Sequence, residues 1–216
     1  MGKGQWVTAL VGVVFLVILM WLGYGFYLRY QVRSVLDDVR TLSVASDHTA
    51  AFEALRHKYG NRLKSMEGCS EAICSYDLSV SNHAMSAAFR VPYTELNARF
   101  DLRGRSVVTV MVEYRSAQSV SDSPVVHVQI DFCPASCGHF FVHPWTRSGT
   151  AERWNGIVEM GFATAEELRE AALALNPRCL TNMRGCSDIA QLLPSVWESS
   201  GTGVRCLVPN LEGQAR

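Results

Sequence analysis

Residues 96–132 read LNARFDLRGRSVVTVMVEYRSAQSVSDSPVVHVQIDF. Leu96, Ala98, Phe100 and Leu102 alternate with Asn97, Arg99 and Asp101. Beyond a turn at Arg103, Gly104 and Arg105, the period places Val108, Val110, Val112 and Tyr114 on one face. After a polar loop between Ser116 and Pro124, Val126, Val128, Ile130 and Phe132 alternate with His127, Gln129 and Asp131. Three successive runs with a period of two predict antiparallel strands with one buried and one polar face. Shorter strands are expected at 76–80 and 154–160.

Helical periods flank this sheet. Phe52, Leu55 and Tyr59 recur at helical spacing, with Ser46 or Asp47 placed to cap and Gly60 to stop. Leu168, Ala171, Ala172 and Leu175 form a second stripe, with Thr164 and Glu167 at capping-box spacing and Asn176-Pro177 as the end. Ser187 or Asp188 is placed to cap a last short helix through Trp197, kinked or stopped near Pro194. The expected fold is therefore α+β, one antiparallel sheet covered on one face by two or more helices.

From Trp6 to Leu28 the sequence is WVTALVGVVFLVILMWLGYGFYL, without a charge. About 20 helical residues span roughly 30 Å of hydrocarbon. Trp6 at one end and Trp21, Tyr24, Tyr27 and Tyr30 at the other suit interfacial belts. The run is longer than the core of a signal peptide and no A-x-A-like cleavage site follows, so a retained, lipid-contacting anchor is expected. Val32, Val35, Leu36 and Val39 continue the helix with one apolar face. The organisation read from these patterns is a tail at 1–5, an anchor at 6–28, a helical stalk at 29–45, the folded domain at 46–198 and a tail at 199–216.

The 216 residues carry 20 basic and 20 acidic side chains. That balance argues against a nucleic-acid partner, because phosphate binding rests on surplus Lys and Arg. With 48 % apolar residues there is enough material for a sizeable core. There is no Walker loop, no G-x-G-x-x-G and no G-x-S-x-G elbow. The expectation is a binding protein rather than an enzyme. Arg99, Arg103, Arg105, His48, His57, His83 and His127 are all expected to be solvated.

The cysteines give the chemistry. Seven are present: Cys69 with Cys74, Cys133 with Cys137, Cys179 with Cys186, and Cys206 alone. Close pairing in loop-like contexts favours disulfides, hence an oxidising compartment outside the cytoplasm. Arg29, Arg33 and Arg40 beside the anchor pull the other way by the positive-inside rule. Two readings of DFCPASCGHFFVHPW (131–145) stay open. Cys133 and Cys137 form a disulfide beside loop histidines, or Cys133, Cys137, His139 and His143 hold zinc or copper.

The strand running into Cys133-Pro134-Ala135-Ser136-Cys137 resembles the membrane-anchored, thioredoxin-like copper chaperones that assemble cytochrome oxidase, over residues 125–137. In that family the motif comes early, with a ligand histidine far downstream. Here about a hundred residues precede it, His143 is the last histidine, and no helical pattern follows Cys137. The resemblance therefore assigns no family. The functional expectation is a membrane-anchored module that binds a protein partner or another component of the envelope. The alternative is a metal-binding or redox protein using the 133–143 cluster. The polar strand face and the loops at 116–124 and 133–145 are the expected contact surfaces.

Overall fold

The computed structural model describes residues 3–117, 125–132, 140–146, 154–161, 164–182, 184–186 and 189–195. Its longest element is the helix α1, Lys3–Val44, which contains both the apolar run and the segment after it. A helix α2, His48–Tyr59, folds back along α1. The Asp47 side chain accepts from the Ala50 amide at 2.9 Å, and Gly60 (φ 50°) closes its end, as the capping residues predicted.

The strands are β1 (Lys64–Ser65), β2 (Ile73–Ser81), β3 (Tyr93–Arg103), β4 (Ser106–Ala117), β5 (Val125–Asp131), β6 (Phe140–Thr146) and β7 (Trp154–Gly161). They form one sheet in the order β1-β2-β3-β4-β5-β7-β6. The class is α+β, but the sheet is mixed rather than wholly antiparallel. β6 runs opposite to β5 at the far edge, and β7 turns back into the gap between them, which makes it parallel to β5. Pro144, which lacks an amide hydrogen, sits on that edge strand, where a missing ladder donor costs least.

The register corrects one detail. Leu102 pairs with Val107 while Asp101 pairs with Thr109, so a bulge absorbs Val108. Val107 is buried in place of Val108, and the alternation resumes correctly at Val110. Gly104 takes a positive φ of 61° in the tight turn just before the bulge.

The apolar face of the sheet packs against the helices in one core. Phe52 of α2 meets Phe100 and Tyr76 with ring centroids 5.6 and 5.4 Å apart. Val32, Val35, Leu36, Val39 and Leu42 bury the inward face of α1 beyond the apolar run. Two short helices, α3 (His83–Phe89) and α4 (Glu166–Leu173), and a single turn α5 (Ile189–Leu192) complete the covering layer. α3 and β6 were not legible in the sequence. Thr164 does not cap α4: Ala165 holds the cap position without a side-chain bond, and the Thr164 carbonyl instead accepts from Arg169 at 3.0 Å.

Disulfides join Cys69 to Cys74 and Cys179 to Cys186, with Cα atoms 4.3 and 5.3 Å apart. The first closes the exposed connection between β1 and β2. The second is buried and clips the 3-10 turn Pro177–Leu180 to the loop that follows it in sequence towards α5. Cys133, Cys137 and Cys206 lie outside the described residues.

Candidate functional site: the polar face of the sheet

Side chains opposite the core form the candidate site. Directly paired positions on neighbouring strands share a face, so the register assembles rows across the sheet. Ser75, Asp101, Thr109 and Asp131 make one row; Asp77, Arg99, Met111, Gln129 and Glu159 the next; Ser79, Asn97, Glu113, His127 and Ile157 a third. The described helices lie against the other face, where Phe52, Leu173 and Leu192 join the core.

Within the rows the polar groups hold one another. Arg99 Nε donates to Asp77 Oδ1 at 3.0 Å, and this bond raises the Arg99 pKa further. Ser75 Oγ donates to Asp101 at 2.6 Å. Asp131 Oδ1 accepts from Thr109 Oγ1 at 3.1 Å and from Gln129 Nε2 at 3.0 Å. Glu113 takes Arg115 on one oxygen at 2.7 Å and faces His127 Nδ1 on the other at 3.4 Å. Burial lowers the His127 pKa; Glu113 opposes that effect and Arg115 adds to it. The Asn97 side-chain oxygen is buried with no hydrogen-bond partner among the described residues.

Asp77, Glu95, Asp101, Glu113, Asp131 and Glu159 outnumber Lys64, Arg99, Arg103 and Arg115, so this face is mildly acidic although the chain as a whole is neutral. Such a surface can bind through ion pairs and hydrogen bonds. Among the described residues, no group of three or more His, Cys, Asp or Glu side chains is placed to hold a metal ion.

The sequence-predicted site residues are distributed unevenly. Cys133, Cys137 and His139 fall outside the described residues. His143 belongs to β6, where it pairs with Ile157, which pairs in turn with His127. Arg99 and His127 are partly buried and engaged rather than freely solvated. His48 is half-buried, its ring 4.3 Å from that of Phe132, and burial lowers its pKa. The acidity of the sheet face was present in the alternation itself. It becomes a site only when the register brings the strands side by side.

The sequence matches no family model, and no curated protein or solved structure shows significant similarity to it.

Proposed function

We propose that this chain is a membrane-anchored, extracytoplasmic binding protein that engages a protein or another envelope component through the polar face of its sheet. The observation that carries this reading is the continuity of α1. One helix supplies an apolar stretch long enough to cross a membrane and then, without a break, the inward face that covers the sheet. The domain is thereby fixed close to the bilayer rather than tethered by a flexible linker. Its acidic sheet face favours a partner with basic groups.

The two disulfides support the side of the membrane, since such bonds persist in oxidising compartments. Two of the three arginines that suggested a cytoplasmic domain make bonds within the protein. Arg29 donates to Thr181, and Arg40 to Asp37 at 2.9 Å.

Thiol labelling in intact membrane vesicles, read as a mass shift, tests this reading. Cys69, Cys74, Cys179 and Cys186 are expected to resist alkylation until a reductant is added. Labelling of all of them without reductant would place the domain in a reducing compartment and sink the proposal.

A second reading, a metal or redox site at Cys133, Cys137, His139 and His143, has one point in its favour. The register puts His143 in the same row as His127 and Glu113. Zinc or copper bound to the purified protein and lost in the H139A/H143A variant would support it.

A further inference from the structure

Helix α1 sets the height of the domain above the bilayer. From Trp6 to Met20 its side chains are exposed; those 15 or so residues rise about 22 Å, most of the thickness of the hydrocarbon layer. Among the described residues, Trp21 is the first side chain to pack on the domain, its ring 4.3 Å from Phe89 at the end of α3. Gly25 follows, with Thr181 Cγ2 3.4 Å from where a β-carbon would stand, and then Arg29, whose Nε donates to Thr181 Oγ1 at 2.8 Å. The domain's base therefore meets the helix at the outer edge of the hydrocarbon.

Two segments form that base, 82–92 and 176–186, and they are tied to each other. The Asn82 amide donates to the Pro92 and Leu180 carbonyls. The composition of these segments is one-sided: they contain Arg90, Arg178 and Arg184, all exposed, and no Asp or Glu. Phe89 is 43 % exposed beside Arg90 despite its contact with Trp21. On α1 at the same level, Phe26 and Tyr30 are each 68 % exposed, as aromatic residues of an interfacial belt are. An apolar ring at the depth of the hydrocarbon boundary with arginines just above it matches a phospholipid leaflet in both polarity and charge.

We infer that this base is a second membrane contact, in which Phe89 enters the interface and Arg90, Arg178 and Arg184 bind anionic phospholipid headgroups. The contact orients the domain, so that its acidic sheet face is held at a fixed attitude to the bilayer. The inference rests on the proposed anchoring, and its test separates the two.

The full chain is reconstituted in nanodiscs of phosphatidylcholine with phosphatidylglycerol. The photoactivatable residue benzoylphenylalanine is placed at position 89 or, as a control, at position 105. Position 105 lies beyond the far end of β3, on the order of 35 Å from its start at about 3.4 Å per residue. Phospholipid adducts are expected at position 89, enriched in phosphatidylglycerol, and not at 105. The R90Q/R178Q/R184Q variant is expected to keep the adducts but lose that enrichment several-fold. Failure of the chain to enter discs overturns the anchor and this contact with it. Incorporation without adducts at 89 overturns the contact alone, and unchanged enrichment in the triple variant overturns the role of the arginines.

Discussion

Arg169 of α4 donates from Nη1 to the main-chain carbonyl of Ser43, 3.0 Å away, and from Nη2 to that of Thr164 at the same distance. Ser43 belongs to the last turn of α1, whose carbonyls have no partner within the helix. A buried guanidinium thus closes the helix end, where the macrodipole is negative. The long helix is therefore clamped at both ends of its domain-facing stretch, by Thr181 on Arg29 and by Arg169 on Ser43.

Replacing Arg169 with Met removes both bonds and leaves buried carbonyls at Ser43 and Thr164. The expected cost is about 2–4 kcal/mol, or a fall in Tm on the order of 5–10 °C. Lys keeps the charge but not the forked geometry, so R169K should fall between the two. Thermal unfolding of the detergent-solubilised chain measures this. An R169M variant as stable as wild type would show that the clamp is incidental.

Asn82 is the corresponding polar node at the base. It is fully buried, donates to Pro92 and Leu180, and accepts from the Thr94 amide at 2.8 Å. N82A should cost roughly 3 kcal/mol, because three main-chain groups lose their partner. N82D sets a carboxyl against two carbonyl oxygens, which raises its folded pKa above the unfolded value of about 3.9. Its stability is then fullest below that unfolded value and is lost as the pH rises through the folded one. Denaturation of N82D at several pH values should show stability improving towards pH 4 relative to wild type. A difference from wild type that does not change with pH would refute this account.

His48 and His127 have the opposite sign. Burial lowers both pKa values in the folded state. The unfolded chain therefore takes up protons first as the pH falls below about 6.5, and stability drops in that window. Around His48 stand Asp47, which opposes the shift, and Arg169, which adds to it; Glu113 and Arg115 play the same two parts around His127. The double variant H48N/H127Q should lose less Tm than wild type between pH 7 and pH 5. Parallel curves for the two proteins would remove the histidines from the explanation.

Much of this architecture is written in short-range pattern. The strands β3, β4 and β5 carry the alternation of a sheet with one solvated face, and Asp47 and Gly60 mark the ends of α2 by local chemistry alone. What escaped is what pattern cannot carry. The seven residues of α3 make too few turns for a helical period, and Asn82 before it spends its side chain on other partners. β6 is an edge strand whose place depends on β7 entering from later in the chain. The bulge at Val108 depends on the partner strand, so alternation alone put the wrong valine inside. The candidate site was half legible: each strand announced its polar residues, but no strand announced which of them would be neighbours. Arg169 lies outside the apolar stripe of its helix, so the period carries no sign that it is buried. Only the packing of α4 on the end of α1 shows it.

The two disulfides should differ in what they contribute. Cys179–Cys186 is buried and holds the segment that grips Arg29, whereas Cys69–Cys74 closes an exposed connection. Removing the buried pair in C179A/C186A should cost about 3 kcal/mol or more, from lost chain constraint and from cavities. C69S/C74S should cost about 2 kcal/mol or less. Equal losses in chemical denaturation would contradict this ranking.

The polar sheet face should be nearly silent in stability and decisive in binding. The Asp77–Arg99 pair is partly exposed, and such pairs contribute about 1 kcal/mol or less. R99A, D101N and E113Q are therefore expected to shift Tm by no more than about 2–3 °C. With benzoylphenylalanine at position 111, in the middle row of the face, irradiation of native membranes should give one dominant crosslinked product. In E113Q and in D101N that product should weaken, since charge on this face selects a basic partner. A crosslink through position 111 that ignores these carboxylates would leave the partner's basic groups without a role. Variants that unfold the domain would instead show that these residues serve the fold.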